Sequence, residues 1–348
     1  MYSGHRVYDD FSNSSSSLQV QSADTVTLAV RERILLKMLG DTTLGGWGQG
    51  SYAVDVVALE TDRMGFFWAA GGTSGDAVLR TDYLLGSAKA SAEQPLELKD
   101  NLTNPVTYLH ARGNAQDYLV VFTDDKYKGG LFACRDGMAP LEITRLINGP
   151  YDALAKEDSN TYLVTHRLDN DRLILRRISS AASSLTETAA HISIINGTAM
   201  DIVTNSSVAV DTPGTIVILS LRGGAFNPKR LEYKAMTSSF ATVDSGVLAE
   251  NVSDPGGFTF YEDAPIVSYA ATKFAAAHWT EDGVYLDTIT HVGPGRVETE
   301  AIKVVDGTGF RSATVAAGGG YLLVAWKGNL TGNSSRSVEG FRYRIHEG

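Results

Sequence analysis

Four acidic residues recur at similar places along this chain, each at the opening of an apolar run. They are Asp55 in Tyr52-Ala53-Val54-Asp55-Val56-Val57, Asp152 in Tyr151-Asp152-Ala153-Leu154, Asp201 in Met200-Asp201-Ile202-Val203, and Asp263 in Glu262-Asp263-Ala264-Pro265. Carboxylates that converge can hold a hard cation such as Ca²⁺, which takes roughly six to eight oxygen ligands. Two of them can instead divide acid and nucleophile or base roles across a glycosidic bond. A third reading is purely structural, since an Asp before a strand accepts hydrogen bonds from nearby turn amides. Asn104-Pro105-Val106 and Phe310-Arg311-Ser312 break the acidic pattern. Three further candidates fall in the same class of connection: Trp47, flanked by glycines in Leu44-Gly45-Gly46-Trp47-Gly48-Gln49-Gly50, together with Tyr261 and Arg311. An exposed Trp or Tyr offers a face on which a sugar ring or a protein partner can stack.

The elements that must position these residues repeat. Strand-like runs end in turn signals at Leu98-Lys99-Asp100-Asn101, Leu146-Ile147-Asn148-Gly149, Ile194-Ile195-Asn196-Gly197, Leu248-Ala249-Glu250-Asn251 and Val304-Val305-Asp306-Gly307, about fifty residues apart. A second landmark is an apolar strand rich in aromatics, at Phe66-Phe67-Trp68, Tyr118 to Phe122, Tyr162 to His166, Ile216 to Leu219, Phe274 to Trp279 and Tyr321 to Trp326. Such near-continuous runs suit strands buried on both faces. The period is that of β-propeller blades, because one small sheet cannot bury both faces without neighbours. The expected fold is therefore all-β: a single β-propeller of six four-stranded blades, with five or seven as the neighbouring counts. The last repeat is one strand short. Strands within residues 25–37 are expected to fill the gap and close the ring, removing exposed edges. Residues 1–23, with Asn13-Ser14-Ser15-Ser16-Ser17, form a polar arm, and 24–348 the propeller.

In a propeller the first strand of each blade lines a central channel, so Asp55, Asp152, Asp201 and Asp263 are expected around one channel mouth. This arrangement resembles that of five-bladed propeller glycosidases, which place channel-lining Asp and Glu on the first strands of separate blades. The resemblance rests on an acid at a strand start and extends to no flanking motif. By type, the chain is also similar to propeller lectins, which implies a glycan ligand. Neither the sialidase Asp-box nor the Gly-His and Trp-Asp signature of WD40 repeats occurs.

Composition narrows the function classes. A formal charge of −10 and the lack of a dense Lys/Arg run argue against a nucleic-acid face. No run of eighteen apolar residues suggests membrane insertion, and Met1-Tyr2-Ser3-Gly4-His5-Arg6 lacks the apolar core of a signal peptide. The single cysteine, Cys134, reads as a small core residue in a strand. Seven Asn-x-Ser/Thr sequons occur, at Asn13, Asn101, Asn196, Asn205, Asn251, Asn329 and Asn333. The seven histidines show no zinc spacing, and His110 and His278 are expected to bond within strands. No Gly-x-Ser-x-Gly elbow or phosphate-binding loop is present. Gly71-Gly72-Thr73-Ser74-Gly75-Asp76 reads as a hairpin. Trp68, Trp279 and Trp326 share one repeat position and are expected between blades.

The sequence therefore favours non-enzymatic recognition of a glycan or protein over catalysis. The Thr/Ser/Asn/Gly-rich surface points to a virion, tail-associated or cell-surface adhesin. The alternatives are a glycoside hydrolase or lyase using the acidic mouth, with Ca²⁺ as the conceivable cofactor, and a structural subunit docking through residues 1–23.

Overall fold

The computed structural model describes residues 2–5, 19–23, 30–35, 54–60, 63–72, 75–84, 96–102, 106–114, 117–124, 129–134, 141–142, 151–169, 172–181, 184–196, 202–223, 229–252, 265–308, 310, 312–318, 321–328 and 337–344. Every regular element among them is a strand. The strands β1 (Tyr2–His5), β2 (Gln19–Ala23) and β3 (Val30–Leu35) form a three-stranded antiparallel sheet, with two of them inside the segment expected as an arm. Next come β4 (Val54–Ala58), β5 (Arg63–Gly72), β6 (Gly75–Leu84) and β7 (Leu96–Leu102), then β8 (Val106–Gly113), β9 (Tyr118–Asp124), β10 (Gly129–Cys134) and β11 (Leu141–Glu142). The third four-stranded sheet is β12 (Tyr151–Lys156), β13 (Thr161–Asp169), β14 (Arg172–Ala181) and β15 (Ser184–Asn196).

Two more meanders follow, β16 (Ile202–Val210), β17 (Ile216–Gly223), β18 (Lys229–Met236), β19 (Thr242–Val252), and β20 (Ile266–Ala270), β21 (Lys273–Thr280), β22 (Gly283–Gly293), β23 (Arg296–Asp306). Among the described residues their ladders are joined by one backbone pair, Val252 with Thr280. The chain ends on a three-stranded sheet, β24 (Ser312–Gly318), β25 (Tyr321–Gly328) and β26 (Ser337–Arg344). Among the described residues β26 pairs with β25 alone, and β1 to β3 pair with one another.

Each sheet is thus an antiparallel meander in chain order. The six aromatic landmarks all lie on second strands, and the junction signals at Asn101, Asn196, Asn251 and Gly307 lie at the ends of fourth strands, the one at Leu146–Gly149 falling outside the described residues. The expected hairpin after Trp68 is present, with Gly72 paired to Gly75. Cys134 ends β10, and its side chain lies outside the described set.

The chain divides into two compact units, Met1–Tyr151 with Ile178–Glu187, and Asp152–Arg177 with Thr188–Gly348. In the first, Val57, Phe67, Ala69 and Val78 pack against Leu109, Ala111, Tyr118 and Val120 of the following sheet. In the second, three such layers occur. Leu163, Leu173 and Leu175 meet Val208, Ile216 and Ile218; Leu219, Leu231 and Tyr233 meet Phe274, Ala276 and Ile289; Trp279 and Leu286 meet Phe310, Val324 and Trp326. β21 presents Phe274 and Ala276 to one layer and Ala275, Ala277 and Trp279 to the other, so alternate side chains enter opposite layers. The inner strands of the sheets from β4 onward whose burial is described pack on both faces, whereas the outer strands β19 and β23 are mostly exposed or half-exposed.

Carboxylates fasten these layers. Asp211, at the end of β16, accepts from Thr215 N at 2.6 Å and from Thr272 N, at the β20–β21 turn, at 2.8 Å. Asp244 of β19 accepts from Val297 N of β23 at 3.1 Å. Apolar packing has no direction, and these bonds set the register between neighbouring sheets.

Gly113 closes β8 at φ 149°, where a Cβ would lie 2.4 Å from both Asp117 O and Tyr118 Cα. Gly295, at φ 69°, has open space around the same position. Gly113→Ala is expected to cost about 3 kcal/mol through steric overlap, and Gly295→Ala about 1 kcal/mol through backbone strain alone. Urea unfolding of the two variants checks this, and equal losses would contradict the tight packing at the β8–β9 turn.

Candidate functional site

Of the residues singled out by sequence, Asp55 and Asp152 are described; Trp47, Asp201, Tyr261, Asp263 and Arg311 lie outside the described residues. Asp55 is the second residue of β4 and is partly exposed. Its Oδ1 accepts from Val56 N at 2.8 Å, and its Oδ2 accepts from Ala111 N at 2.9 Å and Arg112 Nη1 at 2.6 Å, both on β8. Asp152 is 1% exposed on β12. Arg167 Nε donates to it at 2.9 Å, and the Ser206 hydroxyl of β16 lies 3.1 Å from its Oδ2 and 2.9 Å from Thr165 Oγ1. Each carboxylate is therefore spent on protein donors, in both cases reaching the next sheet.

The two acids are not at equivalent places. Leu59 N bonds Arg63 O and Glu157 N bonds Thr161 O at matching turns, which leaves Asp55 and Asp152 one residue out of step along their strands. First strands in this fold carry bulges, between Val106 and Tyr108 in β8 and between Val203 and Asn205 in β16. Each bulge inserts a residue, so alignment on strand starts does not give alignment in space. Among the described residues no group of three or more His, Cys, Asp or Glu side chains is arranged to hold a metal. One sequon is buried: Asn205 is 2% exposed and accepts from Ser206 N at 2.6 Å.

Sequence reasoning missed a cluster at one end of the β20–β23 sheet. β21 ends at Thr280, β22 starts at Gly283 paired to Asp306, and Gly307 N donates to Asp282 O at 3.1 Å. Val252, Pro265 and Asp306, described residues next to 253–264 and 307–311, lie at this same end of the sheet. Here the Asp282 carboxylate accepts from the Thr280 hydroxyl, from Tyr285 OH at 3.0 and 3.1 Å, and from Lys303 Nζ at 2.9 Å. Lys303 also pairs with Asp306 at 2.8 Å. The Tyr285 ring stacks on buried His278, with centroids 5.0 Å apart and planes 5° apart. His278 is fixed in turn, its Nδ1 lying 2.5 Å from buried Asp287 Oδ2. A turn motif of Thr-Glu-Asp-Gly followed by an alternating Tyr was the signal available in sequence.

The Thr280 hydroxyl, then Lys303 and Tyr285, hold the Asp282 carboxyl well below the usual carboxylate range, despite its exposure. Asp306 and then Asp282 hold the Lys303 ammonium above the ordinary lysine range. A depressed carboxyl contributes above its unfolded pKa and loses that contribution as pH falls through the folded value, so the cluster stays ionised through mild acid. The surface offers a fixed carboxylate, an ammonium and an oriented phenol, the groups that exchange hydrogen bonds with polyhydroxylated ligands.

No family model matches the chain, and no curated protein matches it. Among solved structures, a protein of unknown function from Dyadobacter fermentans aligns with a TM-score of 0.54 at 9% identity, covering 85% of this chain and 95% of that one. A neuraminidase-like protein of A/flat-faced bat/Peru aligns with a TM-score of 0.51 at 9% identity, covering 85% and 88%. A fungal lectin with a six-bladed β-propeller fold, from Aleuria aurantia, aligns with a TM-score of 0.47 at 11% identity, covering 84% and 91%. The similar structures are β-propeller proteins, and this chain is a β-propeller repeat protein.

Asp152 and Asp55 differ in burial, and their variants should differ accordingly. Asp152→Asn leaves the Arg167 charge buried without its counter-ion and should cost about 3–5 kcal/mol. Asp55→Asn, partly solvated, should cost about 1 kcal/mol. Chemical denaturation of both variants measures this; a small loss at Asp152 would sink the buried-clamp account.

Proposed function

We propose that this protein is a non-enzymatic recognition protein that binds glycans at the end of the propeller where its inter-sheet connections emerge. The observation that carries the reading is the exposed Asp282–Tyr285–Lys303 cluster, held at the same sheet end as the connections bearing Tyr261, Asp263 and Arg311. Trp47 and Asp201, which precede β4 and β16 in sequence, are further ligand-contacting candidates in this reading. Aromatic faces stack on the C–H faces of sugars, while carboxylates and cationic groups exchange hydrogen bonds with the hydroxyls. A glycosidase reading has less support, because Asp55 and Asp152 are committed to Arg112, Ala111 and Arg167.

The finer architecture belongs to the same proposal. Six blades form the ring, and N-terminal strand residues complete the last, three-stranded sheet. Rigid blades then hold connections from distant parts of the sequence at one surface, as an adhesin on a cell or virion surface requires. Solvent-exposed glycan sites of this kind need no cofactor, although Ca²⁺ at Asp201 and Asp263 would be compatible with it.

A glycan array probed with the full chain, followed by titration of the best ligand, tests the reading. Tyr285→Ala and Trp47→Ala should each weaken that ligand at least tenfold, measured well below each variant's unfolding midpoint. Binding through Asp282 should stay level between pH 7 and pH 5, because its carboxyl remains ionised there. An array without a ligand, or variants that bind like the wild type, would remove the proposal.

A further inference from the structure

A second cluster, on the edges of first strands β4 and β8, involves groups that the glycan reading does not use. Each of these strands pairs on one side only, β4 with β5 and β8 with β9, and their other edges approach one another. Asp55 bridges that gap. It accepts the backbone amide of Ala111 and binds Arg112 Nη1, as described above. Nη1 also donates to Ala111 O at 2.6 Å, so one corner of the guanidinium is fixed at two points. Among the described residues the rest of the fork makes no other hydrogen bond, on a side chain that is 41% exposed. His110 stands two residues before it, with Nδ1 3.9 Å from Asp55 Oδ2. Its Nε2 is buried yet has no hydrogen-bond partner among the described residues.

We infer that Arg112, with His110 beside it, forms a binding site for a ligand carboxylate, and that Asp55 is its positioning residue. Three physical points lead there. An arginine fork already anchored at one corner loses little side-chain entropy when it binds, and its planar donors match a carboxylate. Asp55 offsets much of the guanidinium charge, which disfavours a dianionic phosphate and leaves a singly charged planar anion as the better fit. A buried ring nitrogen without a partner carries a desolvation cost that a ligand oxygen would remove. The ligand class is a small carboxylate-bearing molecule, with an acidic sugar as the representative. The inference does not use the Asp282–Tyr285–Lys303 cluster, which belongs to the other compact unit.

Titration of the full-length protein with glucuronate, glucose and inorganic phosphate tests it. Glucuronate should bind, glucose should not, and phosphate should bind at least tenfold more weakly than glucuronate. Arg112→Gln should weaken glucuronate at least tenfold. Arg112→Lys keeps the charge but loses the fork, and should weaken it about threefold to tenfold, which also serves if the Gln variant is poorly folded. Asp55→Asn should weaken it severalfold by releasing the anchored corner, and the effect should persist at a temperature well below the variant's unfolding midpoint. Absence of glucuronate binding to the wild type, phosphate binding as tight, or undiminished binding to both Arg112 variants would each overturn the assignment. Array binding is read separately, so a negative array leaves this test intact.

Discussion

Burial of the second strands β5, β9, β13, β17, β21 and β25 is the constraint from which the rest follows. A single four-stranded meander cannot exclude water from two apolar faces, so each sheet is stable only with neighbours. β21 shows the arithmetic of this in its side chains: Phe274 and Ala276 enter one layer, Ala275, Ala277 and Trp279 the next. Each fully buried Leu or Phe of these layers is worth roughly 2–3 kcal/mol relative to exposure. The gradient toward exposed outer strands, seen in β19 and β23, is the other side of the same geometry.

Packing alone does not settle how far one sheet slides against the next. Carboxylates do that here. Asp55, Asp152, Asp211 and Asp244 each take a hydrogen bond from the following sheet. A carboxylate has four lone-pair directions and can serve its own strand and a neighbour together, which an amide or hydroxyl does less well. The strongly buried example, Asp152 with Arg167, is a joint whose removal from one side leaves a charge in the interior.

The same device has different consequences where solvent reaches it. Asp55 holds an arginine whose remaining donors are exposed, and Asp282 gathers a lysine, a tyrosine and a threonine at a sheet end. In both places a carboxylate orients neighbouring donor groups at the surface as well as joining strands. The stacked His278 and the Asp287 behind it keep the Tyr285 ring from turning, an example of a fixed support behind an exposed contact.

Much of the fold was legible in the chain itself. Period, strand identity and the twofold-buried second strands follow from local patterns, because side-chain alternation and turn chemistry act over a few residues. Thus the aromatic landmarks at Phe67, Tyr118, Phe274 and Trp326 lie where the spacing puts them, and Trp279 and Trp326 share one inter-sheet layer. The site was legible only in part. The repeated acids were visible, but measured from the turns that end their strands Asp55 and Asp152 stand one residue out of step, which breaks their apparent equivalence. The cluster around Asp282 joins residues from three strands, and Asp55 meets Arg112 across 57 positions of sequence. What the sequence determined by itself was the kind of sheet and its repetition. Which carboxylate faces which donor was decided by tertiary structure, because a hydrogen bond depends on distances of a few tenths of an ångström that no spacing along the chain encodes.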